Sequence, residues 1–257
     1  MKSNIGVPFH SSFIPDPDLE WQMSRAEKYC LINTLQTLQP EVSIEIGTYK
    51  GGSLQVIQQF SEEVYSVDIS QAPKKFLEKK FPLVNYIVAD GHLILHELFA
   101  KIEKENKKLE FILVDGDHTY KGVKRDIEAI LTYPHKNPIT IILHDSFNPG
   151  CRKGIRTVNY SNYPAVEYVE LDYITGSYWH NDTYREMWGG FGMIRINPDN
   201  KNTSIEVMES QENLFKRAHW GSVHIFKDKL HFLVPIKRFI FKKIGRKNRA
   251  EMYDSFD

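Results

Sequence analysis

The feature that most constrains this chain is a rhythm. Short runs of mostly apolar residues alternate with stretches of helical spacing. The runs are Val42–Gly47, Val64–Ile69, Tyr86–Ala89, Phe111–Val114 and Ile139–Leu143. Between them, Ser53–Phe60, Pro73–Lys80, His92–Lys104 and Tyr120–Leu131 carry helical patterns, with proline at a tolerated first-turn position in the second. Strands this short, apolar throughout and separated by helices belong to a parallel sheet covered on both faces. Right-handed crossovers then give a doubly wound α/β fold. After Ile139–Leu143 the rhythm breaks: Val166–Leu171 and Phe191–Ile196 read as two strands joined by a loop, an antiparallel end to the sheet. Before the rhythm, Leu19–Gln39 reads as a helix stopped by Pro40.

Four of the five runs end in or run into an acid: Asp68, Asp90, Asp115 and Asp145. Ligands of open α/β sheets bind at the carboxyl ends of the strands, so acids there are site candidates. Capping of the following helix is the plainer explanation for any single one, but it is less satisfying for all four.

The first run ends in glycine and continues as Glu45-Ile46-Gly47-Thr48-Tyr49-Lys50-Gly51-Gly52-Ser53. Gly47 permits a tight turn, and Gly51 and Gly52 would let backbone approach a ligand. The helix start at Ser53 offers free N–H groups to an acceptor. The spacing is neither the Gly-x-Gly-x-x-Gly of dinucleotide binders nor a P-loop, which disfavours an NAD enzyme. About twenty residues on, Asp68 can accept the two hydroxyls of a ribose, and Asp90-Gly91 can meet an adenine amino group. This order describes an adenosine-bearing ligand without a phosphate chain.

On these pieces (EIGTYKGGS at 45–53, VYSVDIS at 64–70, VADGH at 88–92 and FILVDGDHTYKGVKRDIEAI at 111–130) the chain resembles the class I methyltransferases that use S-adenosylmethionine (SAM). The resemblance covers roughly residues 40–196. It implies a Rossmann-like seven-stranded sheet of order 3-2-1-4-5-7-6 with strand 7 antiparallel. It also implies that Glu45 and Gly47 flank the methionine part, Asp68 takes the ribose and Asp90 lies beside the adenine. Tyr49, Gly51, Gly52, Ser53, Ile69, Gly91 and Asp115 complete the expected cofactor set.

Asp115-Gly116-Asp117-His118 and His144-Asp145-Ser146 follow neighbouring strands and should face each other. Methyl transfer to a hydroxyl needs alignment and removal of a proton, so Asp115, His118, His144 and Asp145 are the catalytic candidates. Two roles are open. Asp115, Asp145 and His144 can hold Mg²⁺ or another divalent metal, or a histidine can act as general base without one. The stretch VDGDHTYKGVKRDIEAI with ILHDS is similar to the branch containing cephalosporin hydroxylase-type and macrocin O-methyltransferase-type proteins. That similarity implies a sugar, glycan or natural-product hydroxyl as acceptor and, in several members, Mg²⁺ in these loops. Here His144 stands where an acid is usual. N-methylation, and a SAM-binding scaffold of a glycan-assembly complex without turnover, are the competing readings.

Three domains are expected: an N-terminal arm and helix over 1–40 serving as an acceptor lid, the methyltransferase domain over 41–200, and a C-terminal extension over 201–257. Six rings lie between Tyr173 and Trp188 (Tyr173, Tyr178, Trp179, His180, Tyr184, Trp188). With Phe9, His10, Phe13 and Trp21 of the arm, they read as acceptor-facing rings, or as an apolar patch buried against the body or a homodimer partner. Lys227–Arg249 holds nine Lys and Arg against one Asp, which suits a basic helix at the inner face of an anionic membrane or a solvated helix face. Lys plus Arg and Asp plus Glu are 33 each, so overall charge does not point to nucleic acid. The two cysteines, an N-terminus without an apolar signal core and the lack of a long apolar run lead to the expectation of a cytoplasmic protein.

Overall fold

The computed structural model describes residues 13–180, 185–200 and 205–225. The basic tail over 227–249, Phe9, His10, Tyr184 and the side chains of Trp179 and His180 lie outside what is described. The chain divides into two compact units, Met1–Ser177 with Trp188–Glu212, and Tyr178–Met187 with Asn213–Asp257.

The first unit is built on an eight-stranded sheet. Its strands are β1 (Val42–Ile46), β2 (Glu63–Asp68), β3 (Asn85–Val88), β4 (Leu109–Val114), β5 (Ile139–His144), β6 (Val166–Ile174), β9 (Phe191–Ile196) and β10 (Val207–Met208), in the order β10-β6-β9-β5-β4-β1-β2-β3. The first five run parallel, and β9 is antiparallel to both β5 and β6. The expected seven-stranded order is therefore present, with β9 as its seventh strand. The edge strand β10, parallel to β6, is an addition.

Strand alternation divides the core between the two faces. Ile112 and Val114 pack with α4 (Gly91–Lys104), α5 (Tyr120–Leu131) and α6 (Pro149–Arg156), whereas Phe111 and Leu113 pack with α1 (Arg25–Leu38) and α2 (Leu54–Phe60). Successive Cβ atoms of a strand point to opposite faces, so a strand that is apolar at every position can serve both cores. On β1 the same rule sends Ile44 and Ile46 to the α4–α6 side. Ser43 and Glu45 therefore project toward the α1–α2 side. Arg152, on α6, forks onto Asp172 of β6 at 2.7 and 2.9 Å and reaches Glu209 at 2.9 Å, fixing the added edge.

Several boundaries differ from the sequence expectation. The first helix begins at Arg25, not Leu19, because Ser24 and Glu27 form a capping box. Leu19, Trp21 and Met23 instead join the α1–α2 core, and Phe13 meets Phe60 at 6.1 Å between ring centroids. Phe13 and Trp21 thus pack, half-buried, against this core. Replacing Ser24 with alanine is expected to cost about 1 kcal/mol, read as a lowered urea midpoint at unchanged slope. The helix α6 and the 3₁₀ turn Tyr160–Asn162 were not evident in the sequence.

In the second unit, the segment expected to be a loop forms a two-stranded sheet of β7 (Ser177–His180) and β8 (Arg185–Trp188). It is accompanied by α7 (Glu212–Gly221). Tyr178 Oη donates to the Gly221 carbonyl at 2.7 Å, and the Val223 N–H donates to the Arg185 carbonyl at 2.8 Å. No helix of the described residues is long and apolar enough to cross a membrane.

Candidate active site

At the end of β1, Gly47 has φ +86°, and a Cβ on it would stand 2.2 Å from the Asp115 carbonyl oxygen. Only glycine allows the turn to run so close to the end of β4. The turn is held by Asp68: its Oδ2 accepts the N–H groups of Thr48 (2.9 Å) and Tyr49 (3.3 Å), and its Oδ1 accepts that of Ser70 (2.7 Å). Asp68 therefore shapes the loop as well as standing where a ribose is expected. A carboxylate has about four acceptor positions, which leaves capacity for a ligand hydroxyl. Ile69 beside it is 76% exposed, a bare apolar face suited to a flat ring.

The other glycines of the loop turn their Cβ positions toward the chain itself. A Cβ on Gly51 would meet the Leu77 side chain at 2.7 Å, and one on Gly52 would meet the backbone of Glu20 and Trp21 at 2.5 Å. On that side they let the chain pack on itself. Ser53 donates to Glu45 Oε1 at 2.5 Å. Glu45 is fully buried, and its Oε2 has no hydrogen-bond partner among the described residues. Burial pushes its carboxyl up to about 8, so it is mainly neutral at pH 7. Asp90 occupies the N-cap position of α4 without a capping hydrogen bond and instead meets His92 Nδ1 at 2.7 Å. Helix capping thus does not account for Asp90.

The second half of the site is built where β4 and β5 end side by side, with Val114 in register with Leu143. Asp115 Oδ1 lies 2.8 Å from His144 Nδ1 and 3.2 Å from His118 Nε2. Asp145 Oδ2 lies 3.6 Å from His118 Nε2 and 4.0 Å from His144 Nδ1. Asp145 itself has φ +58°, and its Oδ1 accepts the Gly189 N–H at 2.5 Å. The ring of His118 stands edge-on to that of Trp188, centroids 6.1 Å apart. The four predicted catalytic residues therefore converge.

Two contributors were missed. Glu27 of α1 is buried, and its Oε1 accepts from His144 Nε2 at 3.1 Å and from the Gly190 N–H at 2.6 Å. The Gly189–Gly190 turn, with φ +72° and +82°, presents those two N–H groups to Asp145 and Glu27. The Ser24-x-x-Glu27 capping pattern was the only trace of Glu27 in the sequence, and it points to a helix start rather than to a site.

Charge decides the protonation of the group. Burial alone would raise Asp115, but the charge of His144 and the hydrogen bonds from both histidines hold it well below the usual carboxylate range. Burial alone would lower His144, yet Asp115, Asp145 and Glu27 push it well above its ordinary value. His118 is raised against its burial by the hydrogen bond to Asp115 and the charge of Asp145.

Asp115, His144 and Asp145 each offer one ligand atom, all within 4.8 Å of one another. The donor chemistry fits a divalent cation: two carboxylates and an imidazole whose far nitrogen is held by a buried carboxylate, the usual support of a metal-bound histidine. The cofactor fits as well. Glu45 Oε2 is a buried polar atom without a hydrogen-bond partner among the described residues, and Asp68 keeps acceptor capacity beside the exposed Ile69.

Residues 44–147 match the family described as a methyltransferase domain. Among solved structures, the chain is similar to the O-methyltransferase of Bacillus cereus in complex with S-adenosylhomocysteine (SAH), at 16% identity over 70% of this chain and 85% of that one, TM-score 0.48. It is also similar to the O-methyltransferase TomG of Streptomyces achromogenes in complex with SAM, at 12% identity over 70% and 83%, TM-score 0.48. A third is TrmK of M. capricolum with SAH, at 15% identity over 82% and 92%, TM-score 0.43. No curated protein matches the sequence.

Proposed function

We propose that this chain, whose residues 44–147 match a methyltransferase domain, uses SAM to methylate a hydroxyl of a sugar, glycan or natural-product-like small molecule. The observation that carries this reading is the convergence of His118, His144, Asp115 and Asp145 at the ends of β4 and β5, beside the Gly47 turn. An acceptor oxygen attacks the methyl carbon in line. The new O–C bond forms as the S–C bond breaks, leaving SAH, and the hydroxyl proton must go to a base. His118 is the group for that task. Its side chain is 43% exposed while its Nε2 is held by the acids, so the opposite edge of the ring can meet a substrate. An amine acceptor would need less of this machinery.

Asp115, Asp145 and His144 would hold a divalent cation, with Glu27 fixing the imidazole, and such an ion lowers the pKa of an acceptor hydroxyl and orients it. An imidazole among the ligands favours a borderline ion such as Zn²⁺ over Mg²⁺, which prefers an all-oxygen set. Chelation is expected to abolish turnover and an added divalent ion to restore it. Full activity after exhaustive chelation removes the metal from the reading.

The function itself is tested with methyl-labelled SAM and pools of hydroxyl-bearing small molecules and glycans. Label recovered in an ether, with one CH₂ gained in mass, is the expected product. Label in an amine, or SAH binding without transfer to any pool, overturns O-methylation.

A further inference from the structure

In the second unit, one face of α7 is bare. With 3.6 residues per turn, Asn213, Leu214, Lys216, Arg217 and Trp220 fall on one side of the helix, and these five are its exposed side chains. The other side is half-buried and holds Phe215 stacked on His219, ring centroids 5.9 Å apart. Trp220 is 77% exposed and Leu214 46%, whereas Trp21 and Trp188 are half-buried. Lys216 precedes Trp220 by four residues and Arg217 by three, so both cations neighbour the indole on the helix surface. No acid shares the face.

This exposure is not the fraying of a helix end. Directly after Trp220, the Gly221 carbonyl accepts from Tyr178 Oη at 2.7 Å, and the Val223 N–H donates to the Arg185 carbonyl at 2.8 Å. The Met187 N–H donates to His224 Nε2 at 3.2 Å. These bonds tie the end of α7 to the hairpin β7–β8 and hold the indole outward. A lone exposed leucine needs no explanation, but an indole fixed in water between two cations, with a leucine on the same face, does.

Charge and the chain that follows indicate what covers the face. Lys plus Arg equals Asp plus Glu over the whole sequence, yet α7 presents two cations and no acid, and residues 227–249 hold nine Lys and Arg against one Asp. Positive charge is therefore segregated at one end of the chain. In that stretch the cations are interleaved with Phe232, Leu233, Ile236, Phe239, Ile240 and Ile244. A single-stranded nucleic acid would use the cations and the indole but has no need of so many aliphatic side chains. An anionic lipid surface takes all three: its headgroups attract Lys and Arg, its interfacial zone suits Trp, and its acyl boundary accepts Leu and Ile.

We propose that the exposed face of α7, with Trp220 between Lys216 and Arg217, is a docking surface for an anionic lipid headgroup layer. The indole enters the interfacial zone, and the two cations meet headgroup phosphates. Stable attachment to a lipid surface takes two signals, and the basic sequence after α7 is the second. Neither the cofactor nor the acceptor takes part in this contact.

The test is sedimentation of the full chain with phosphatidylcholine vesicles, made with and without phosphatidylglycerol. The wild type is expected to sediment with the anionic vesicles, to stay in solution with the neutral ones, and to be released by added salt. Trp220→Ser should weaken partitioning by about 10-fold, and Lys216→Gln combined with Arg217→Gln by about 10- to 30-fold. Brominated lipid should quench the tryptophan emission of the wild type more than that of Trp220→Ser. The side chain is exposed, so Trp220→Ser should melt where the wild type does. Wild-type protein that ignores both kinds of vesicle overturns the proposal, as does equal binding to the two kinds. Equal partitioning and equal quenching of wild type and Trp220→Ser also overturn it, because the tail alone would then account for attachment. Retention of polyuridylate without retention of vesicles assigns the face to nucleic acid instead. Trp220 emission that acrylamide cannot reach in the free protein shows the face covered by the chain's own tail or a second copy, which overturns it as well.

Discussion

Replacing Gly47 with alanine is expected to remove SAH binding and to lower the melting temperature. Two costs act together. At φ +86° a residue with a Cβ pays roughly 1–2 kcal/mol in backbone strain. The new methyl would also stand 2.2 Å from the Asp115 carbonyl oxygen and 2.7 Å from the Gly116 Cα, distances that force β1 and the end of β4 apart. Neither neighbour is the tip of a flexible side chain, so the clash is relieved only by moving the backbone that carries Asp115. A displacement on the order of 1 Å at a reacting group costs about 100-fold. Both halves of the site share this contact, so binding and turnover should fail together. Gly51→Ala is the informative control. It also has positive φ but meets only the end of Leu77, and its binding defect should be much smaller. If Gly47→Ala binds SAH within about threefold of wild type, the turn does not contribute to the cofactor site in the way described.

Glu27→Ala is expected to be the most destabilising single change in the acceptor half. Glu27 is 2% exposed, and its one carboxylate serves three donors: Oε2 takes the Ser24 N–H at 2.6 Å, and Oε1 takes His144 and the Gly190 N–H. Truncation leaves the buried His144 Nε2 and the Gly190 N–H without their acceptor and undoes half of the α1 capping box. Breaking a buried charged pair from one side costs about 3–5 kcal/mol, readable as a large fall in the urea midpoint. Glu27→Gln keeps an acceptor of nearly the same shape and should lose less, while still altering the charge around His144. The Gly190 turn also carries Gly189, whose N–H holds Asp145, so both variants should lower turnover more than they lower SAH affinity. An Ala variant as stable as wild type would mean that the α1 carboxylate is not seated against His144.

The sheet was legible because parallel strands in a covered sheet are apolar at nearly every position. The run Ile139–Leu143 declares itself without knowledge of its neighbours. Asp68, Asp90, Asp115 and Asp145 were legible for a related reason: the end of a strand is a place the sequence marks. The hairpin β7–β8 was not, because its aromatic and polar residues carry no clear alternation over strands of 4 residues each. Gly51 and Gly52 were legible only as places of close approach. A glycine in a sequence says that something comes close, and only the fold says that the neighbours are Leu77 and the Glu20–Trp21 backbone.

Glu27 marks the boundary most clearly. Its capping role is local, spans 3 residues and was written in the Ser24-x-x-Glu27 pattern. Its contact with His144 joins positions 117 residues apart. Local periodicity and turn chemistry fix which segments are strands, helices and turns, because those depend on near neighbours along the chain. Which carboxylate faces which imidazole depends on how the layers pack, and that is decided by burial and register across the whole sheet.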